Sequence, residues 1–179
     1  MTTKNHKIIF TGPVGAGKTT AISSISDIDP VITDAIASDM TTARKTTTTV
    51  AMDYGLMTLD EKTRVHLYGT PGQERFGFMW DILTEGGLGL VLLLDNKAKD
   101  PLGDMKFYLN AFSEFIKKSG VVVGITRMDL KRSPTLNQYR ESLDKLNIRA
   151  PLLEVDARDG DDVSRLVQAL LYSLDPGAQ

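Results

Sequence analysis

The sequence predicts a three-layer α/β protein, in which a six-stranded mixed sheet carries helices on both faces. Three observations predict this class: continuous apolar runs, helix-spaced apolar stripes that alternate with those runs, and one hairpin. The chain has 179 residues, of which 41% are hydrophobic and 25% charged, and it contains no linker-like segment or internal repeat. We therefore expect one domain over residues 1–179.

The apolar runs predict strands that are buried on both faces. They cover residues 7–10, 88–94 and 121–125, with a weaker run at 152–155. Strands of a parallel sheet lose the usual polar alternation because helices cover both of their faces.

Between these runs, apolar residues recur every three or four positions, which is typical of amphipathic helices. The stripes are Met105, Leu109, Phe112 and Ile116; Leu136, Tyr139, Leu143 and Leu146; and Val163, Leu166, Val167, Leu170, Leu171 and Leu174. The last helix, over 159–174, opens with an acidic turn that suits a helix N-terminus. We interpret these stripes as core faces.

A hairpin interrupts the parallel pattern. Residues 50–59 and 63–68 are strand-like, and the turn residues Asp60, Glu61 and Lys62 join them. The hairpin supplies the one antiparallel strand of the predicted sheet. Ligands in such sheets bind at the carboxyl ends of the strands.

Residues 12–19 match the phosphate-loop pattern Gly-x-x-x-x-Gly-Lys-[Ser/Thr] in full, between a predicted strand and a predicted helix. In this pattern the glycines let backbone N–H groups cradle phosphates, Lys18 supplies a charge for the β- and γ-phosphates, and the Thr19 hydroxyl ligates Mg²⁺. The motif predicts binding of a nucleoside triphosphate. Its candidate binding residues are Gly12, Val14, Gly15, Ala16, Gly17, Lys18, Thr19 and Thr20.

Composition argues against other partners. The formal net charge of −2 does not give the excess of positive charge that nucleic-acid-binding proteins usually carry. No apolar run is long enough to span a bilayer. The termini show neither a signal peptide nor a lipidation site, and the chain has no cysteine. We expect a cytoplasmic protein without a direct membrane anchor.

Four further motifs follow in a fixed order. They are Thr46-Thr47-Thr48-Thr49-Val50-Ala51-Met52-Asp53-Tyr54, Gly69-Thr70-Pro71-Gly72-Gln73-Glu74-Arg75-Phe76, Thr126-Arg127-Met128-Asp129 and Asp156-Ala157-Arg158. This series resembles the Ras-like small GTPase superfamily over nearly the whole chain. Its Thr-Pro-Gly-Gln run is most similar to bacterial small GTPases related to the gliding-motility polarity GTPase. The resemblance implies a P-loop NTPase fold that binds GTP and GDP with Mg²⁺.

The resemblance assigns roles in two nucleotide-sensing loops. In switch I, about residues 40–50, Thr49 would close over Mg²⁺ and the γ-phosphate, although its threonine neighbours leave the register open by one or two positions. In switch II, residues 69–83, the Gly72 N–H would bind the γ-phosphate and Gln73 would orient the attacking water. Arg44 is either a cis arginine finger or a solvated basic residue.

The other two motifs imply a guanine site. Asp129 would accept two hydrogen bonds from guanine, flanked by Thr126 and Arg127. The second base loop comprises Asp156, Ala157 and Arg158, with the Ala157 N–H directed at guanine O6. A similar run at residues 96–100 has the wrong spacing, and we interpret it as a solvated loop.

Three departures from the family pattern concern rate and affinity. Gly69 stands where the family has the aspartate that holds Mg²⁺ through a water, so we expect weaker Mg²⁺ binding. Thr126 replaces an asparagine, which makes guanine preference depend more on Asp129 and Ala157. Val14 stands close to the γ-phosphate in place of a glycine, which indicates slow hydrolysis.

The expected function is a slow GTPase switch that signals to a protein effector and regulator through its switch loops. By resemblance, a Roadblock/LC7-type regulator would act as a separate chain. At least one of Phe76, Phe78, Met79 and Trp80 would contribute to the partner surface. The alternative is a degenerate module that binds nucleotide without hydrolysing it, and an ATP enzyme such as a nucleotide kinase is a third possibility.

Overall fold

The computed structural model describes residues 2–38, 47–72 and 77–175. Within these ranges the chain alternates strands and helices. In order they are β1 (Lys4–Thr11), α1 (Lys18–Ile25), β2 (Val31–Ser38), β3 (Thr47–Asp60), β4 (Thr63–Gly69), α2 (Gly77–Thr84), β5 (Gly89–Asp95), α3 (Pro101–Ala111), α4 (Ser113–Lys118), β6 (Val121–Thr126), α5 (Leu136–Lys145), β7 (Leu152–Glu154) and α6 (Gly160–Leu174).

The strands form one mixed sheet in the order β2-β3-β4-β1-β5-β6-β7. Strand β3 pairs antiparallel with β2 and β4, whereas the other neighbours pair in parallel. The predicted α/β class and its single antiparallel strand are confirmed. Within the described residues the sheet has seven strands rather than six, because Val31–Ser38 also pairs with β3. The sequence of this strand contains no continuous apolar run that would have predicted it.

Two apolar cores lie on opposite faces of the sheet. One packs α1 and α6 against the strands, with Ile22 and Leu166 fully buried. The other packs α2, α3 and α5, with Trp80, Leu109 and Tyr139 at its centre. Both cores contain the predicted apolar stripes, so the stripes are core faces. No helix in the described part of the chain is long and apolar enough to cross a membrane.

Helix boundaries follow local capping. The Asp159 side chain accepts from Asp161 N at the start of α6, and Thr135 forms a capping box with Gln138 at the start of α5. The stripe predicted over 105–116 is divided between α3 and α4 at Phe112.

The β3–β4 hairpin contains a bulge that changes its register. Asp60 pairs with Thr63 beside the turn, but Thr58 pairs with Arg64, so Leu59 is an extra residue. A one-residue shift of register exchanges the side chains on the two faces of a strand. The bulge therefore brings Asp53, rather than Tyr54, opposite Gly69 at the end of β4.

Candidate nucleotide-binding site

The phosphate loop connects β1 to α1 at the carboxyl ends of the parallel strands. Gly12 has a φ of 141°, and a Cβ there would lie 2.1 Å from the Leu93 carbonyl oxygen. Gly17 has a φ of 101°, and a Cβ there would lie 3.0 Å from Cβ of Ala157. Glycine is thus required at both positions for the loop to pack against β5 and the 156–158 loop.

Lys18 is buried at the start of α1, where its Nζ donates to the carbonyl oxygens of Gly12 at 2.6 Å and Pro13 at 2.8 Å. Burial lowers the pKa of Lys18 to about 8, and attraction to the Asp53 carboxylate partly opposes this shift. The charge of Lys18 therefore titrates near the upper edge of the physiological range.

Gly72 of switch II lies against the phosphate loop. A Cβ on Gly72 would be 2.7 Å from the Val14 nitrogen and 2.9 Å from Lys18 Nζ. The side chain of Val14 is itself exposed. This close approach places Gly72 beside the groups predicted to bind the γ-phosphate.

Two side chains hold this end of switch II from the opposite side. Trp80 Nε1 donates to the Pro71 carbonyl oxygen at 3.3 Å, and the Tyr108 hydroxyl donates to the Gly72 carbonyl oxygen at 3.1 Å. Trp80 also stacks on Phe112 with ring centroids 5.0 Å apart. Trp80 and Met79 are buried, so they belong to the core and not to an exposed partner surface.

Thr19 faces a carboxylate that sequence reasoning missed. Its Oγ1 donates to Asp53 Oδ2 at 2.6 Å. Hydroxyl and carboxylate oxygens are hard donors that suit Mg²⁺, which usually keeps several waters and uses one or two carboxylates plus substrate phosphates. Among the described residues there is no group of three or more His, Cys, Asp or Glu side chains suited to a metal, so a cage made by the protein alone is not formed there.

Thr49, the other predicted metal ligand, lies further along β3. Its backbone pairs with Ile36 of β2, and it lies four positions before Asp53, or about 13 Å between Cα atoms at the usual rise. The structure therefore does not bring these two residues together. The side chains of Thr49 and Phe78 lie outside the described part of the molecule. The same is true of the whole of Arg44, Gln73 and Phe76.

A cavity of about 870 Å³ opens beside the phosphate loop. Its volume is within the range of small-molecule sites. It brings together the predicted residues of the phosphate loop and both base loops: Ala16, Gly17, Thr20, Thr126, Arg127, Asp129, Asp156, Ala157 and Arg158.

Two side chains connect the 126–129 loop to the phosphate loop. The Thr126 hydroxyl is buried 3.2 Å from the carbonyl oxygens of Ala16 and Leu94. Arg127, with a left-handed φ of 59°, donates from Nη1 to the Gly15 carbonyl oxygen at 2.8 Å and forms an ion pair with Asp95. Thr126 thus joins β6 to the phosphate loop.

The 156–158 loop, which also lines the cavity, contains an ion pair. Arg158 donates to Asp156 from Nε at 2.9 Å and from Nη2 at 2.7 Å. These hydrogen bonds lower the pKa of Asp156 to about 2. Asp156 N also donates to Asp162 Oδ2 at 2.9 Å, which joins the loop to α6.

The solvated-loop interpretation of residues 96–100 is wrong for Asn96. This side chain is fully buried, donates to the carbonyl oxygens of Lys131 and Pro134, and accepts from the Tyr139 hydroxyl at 2.7 Å. Asn96 connects β5 to α5 and to the loop behind Asp129. It does not line the cavity, in agreement with its rejection as a base-recognition motif.

The fold and the site define the class of the protein. A phosphate loop, a switch II glycine beside it and an adjoining cavity of about 870 Å³ on this sheet fit the Ras-like small GTPase superfamily, and the chain is similar in sequence to members of it. The chain belongs to the family described as conserved hypothetical ATP binding protein, whose model matches residues 27–176. The phosphate loop precedes the matched region and is independent support for nucleotide binding.

Three relatives illustrate the similarity. The mutual gliding-motility protein MglA of Myxococcus xanthus is 27% identical over 154 residues, which cover 80% of this chain and 78% of the relative. The Ras-related protein Rab-1C of Dictyostelium discoideum is 26% identical over 160 residues, or 86% and 72% of the two chains. The uncharacterized protein MJ1339 of Methanocaldococcus jannaschii is 33% identical over 90 residues, half of each chain.

Proposed function

We propose that this protein is a molecular switch that binds GTP and GDP with Mg²⁺ and hydrolyses GTP slowly. The observation that carries this proposal is the shared cavity, which joins the phosphate loop to both base loops. Lys18 would bind the β- and γ-phosphates, Thr19 would present its hydroxyl to Mg²⁺, and the Gly72 N–H would bind the γ-phosphate. We further propose that residues 1–179 form one such domain.

The choice of base is a separate step of the proposal. The family description names ATP, whereas Rab-1C is described as Ras-related. Asp129 supports guanine, because a carboxylate accepts from guanine N1 and N2 while adenine presents no such pair of donors. The exposed Asp129 lines the same cavity as the Asp156–Arg158 ion pair.

Competition between GTP and ATP for the protein tests this assignment. We expect GTP to compete far better, and Asp129→Ala to remove most of the difference. Asp144→Ala, a carboxylate of α5 outside this cavity, is the matched control and should leave the preference intact. Equal competition by ATP, unchanged in Asp129→Ala, would contradict guanine specificity and favour an ATP enzyme.

Hydrolysis depends on switch II. Gln73 would orient the attacking water, and the side chain of Val14, 70% exposed beside Gly72, would crowd that water. Single-turnover measurements should therefore show slow GTP hydrolysis by the wild type and slower hydrolysis by Gln73→Ala. If the wild type binds GTP and never hydrolyses it, the protein is instead the non-hydrolysing module that Gly69 and Val14 also permit.

Partners would recognise the switch loops, as effectors and regulators of small GTPases do, and a Roadblock/LC7-type regulator is the expected class. The match to MJ1339 covers half the length of that protein. The partners of the present chain are therefore a proposal drawn from its own switch loops. Affinity capture with GTP-loaded and GDP-loaded protein tests the idea. A partner that prefers one loaded state supports a switch, and identical capture in both states contradicts it.

A further inference from the structure

The end of β4 carries a glycine where related proteins have a metal-binding aspartate, and the strand beside it carries a carboxylate. Asp53 of β3 pairs directly with Gly69. Paired residues of an antiparallel ladder place their side chains on the same face, a few ångströms apart. A Cβ on Gly69 would lie 3.0 Å from Cβ of Asp53 and 3.1 Å from its Oδ2. The Asp53 side chain thus fills the space that a side chain at position 69 would enter.

The face on which Asp53 lies is that of α1 and the phosphate loop. A Cβ on Gly69 would also meet Ile22 of α1 at 3.1 Å, and Gly55, two residues along β3, packs on Ile22 as well. Asp53 Oδ2 accepts from Thr19 Oγ1 at 2.6 Å, and its charge acts on Lys18. The carboxylate therefore contacts Thr19 and attracts the charge of Lys18, the two phosphate-loop side chains whose motif roles concern phosphate and Mg²⁺.

We propose that Asp53 supplies the carboxylate of the Mg²⁺ site, in place of the one that Gly69 lacks, and holds the ion beside Thr19. This inference rests on the proposed binding of a Mg²⁺–nucleotide complex. One carboxylate, one hydroxyl, phosphate oxygens and water form the hard oxygen set that Mg²⁺ prefers. In this site the carboxylate stands on β3, at the position that faces Gly69 of β4.

A purely structural role for Asp53 makes a different prediction. Asp27 shows such a role near the far end of α1, where its Oδ2 accepts from Thr58 N of β3 at 2.6 Å. If Asp53 only connected α1 to β3 in the same way, its replacement would affect stability and nucleotide binding equally with and without Mg²⁺. Asp27→Asn is therefore the matched control.

The experiment measures the release rate of fluorescent mant-GDP, in excess Mg²⁺ and in EDTA, for the wild type, Asp53→Asn and Asp27→Asn. We expect Mg²⁺ to slow release from the wild type and from Asp27→Asn. In Asp53→Asn the ratio of the release rate in EDTA to that in Mg²⁺ should fall by about 10- to 100-fold. This is the usual effect of losing a group that holds or orients a metal ligand. Release in EDTA should be no faster than from the wild type, because asparagine keeps the shape and the hydrogen-bond acceptor and carries no negative charge to repel the phosphates.

A second test places the carboxylate on β4, at position 69, instead of on β3. Asp53→Gly removes the Cβ that a side chain at position 69 would meet at 3.0 Å, so Gly69→Asp fits once Ile22 moves slightly. The Asp53→Gly variant should lose the Mg²⁺ dependence of release, and the Asp53→Gly/Gly69→Asp pair should recover it. Thermal unfolding of both variants with EDTA present checks that each is folded.

Three results would overturn the assignment. Wild-type Mg²⁺ dependence in Asp53→Asn or Asp53→Gly would exclude Asp53 from the metal site while leaving the proposed function intact. Equal acceleration of release in Mg²⁺ and EDTA would show the structural role instead. A wild type that binds no guanine nucleotide under either condition would overturn the proposed function and this inference together.

Discussion

At the scale of single residues, two glycines of the phosphate loop have similar backbone conformations but differ in the space around them. Gly12 and Gly15 both have positive φ, at 141° and 81°. A Cβ on Gly12 would meet the Leu93 carbonyl oxygen at 2.1 Å, whereas a Cβ on Gly15 would meet nothing within 4 Å. The motif requires Gly12 for packing as well as for conformation.

Alanine substitutions separate these two requirements. Gly15→Ala should cost the nucleotide-free protein only backbone strain, about 1–2 kcal/mol. Gly12→Ala should cost more, because overpacking typically adds about 1–3 kcal/mol to the strain. The free energy of unfolding in urea measures both costs, and equal values for the two variants would contradict the contact with Leu93.

Lys18 makes nucleotide binding depend on pH. Burial lowers its pKa to about 8, from the ordinary lysine value of 10.5. Phosphates bind the charged amine, so nucleotide binding should raise this pKa again and take up a proton wherever the free protein has lost it. Affinity should therefore fall as pH rises above 8.

Calorimetry in buffers of different ionisation enthalpy measures that proton uptake. We expect little uptake through Lys18 at pH 7 and most of one proton at pH 8.5. Lys18→Arg should abolish the uptake, because arginine stays charged. A wild type that takes up no more protons at pH 8.5 than at pH 7 would contradict the lowered pKa.

The same shift affects the free energy of unfolding. Between pH 8 and 10.5 the unfolded chain binds more protons at Lys18 than the folded protein does. By linkage, the contribution of this group to the stability of the nucleotide-free protein rises with pH through that window.

At the scale of elements, a buried polar network holds the base loop. Asn96 at the end of β5 hydrogen-bonds to two backbone carbonyls of the 127–134 segment and to Tyr139 of α5. Tyr139 is itself fully buried, and burial raises the pKa of its hydroxyl. The loop that carries Asp129 is thus positioned by side chains that do not touch the cavity.

Truncation of Asn96 should destabilise the protein more than truncation of an exposed asparagine. Asn96→Ala leaves the Tyr139 hydroxyl and the carbonyls without this partner, and each buried unsatisfied group costs about 1–3 kcal/mol. Asn110→Ala, on the exposed face of α3, is the control and should change stability by no more than about 0.5 kcal/mol. Thermal unfolding compares them, and similar losses would contradict the network.

Sequence periodicity predicted the helices and the central strands of the sheet, because their apolar patterns lie within short stretches of the chain. Asn96 was misassigned because its neighbours in sequence are polar, and its partners lie more than 30 positions away. Strand β2 was missed for a related reason, since its hydrogen bonds to β3, and not its own composition, make it a strand.

At the scale of the whole molecule, switch II is connected to the core on the face away from the phosphate loop. Gly72 lies against Val14 and Lys18, while Trp80 and Tyr108 donate to the backbone at 71 and 72. We therefore expect a movement of Gly72 towards or away from a γ-phosphate to change the surroundings of Trp80, the sole tryptophan of the sequence.

Intrinsic tryptophan fluorescence should report the bound nucleotide. We expect different Trp80 emission for the GDP complex and for a complex with a non-hydrolysable GTP analogue. Tyr108→Phe, which removes the hydroxyl bonded to the Gly72 carbonyl oxygen, should change the size of that difference. Identical emission of the two wild-type complexes would show that Trp80 is not coupled to the γ-phosphate.

The sequence alone determined the phosphate loop, the α/β order of elements and the loops that line the cavity beside the phosphate loop. These features depend on short motifs and local periodicity. Only the tertiary structure decided which carboxylate faces Thr19. The turn residues predict a hairpin, but the bulge at Leu59 shifts its register and brings Asp53 opposite Gly69. That outcome depends on pairing between strands and packing on α1, which no window of neighbouring residues contains.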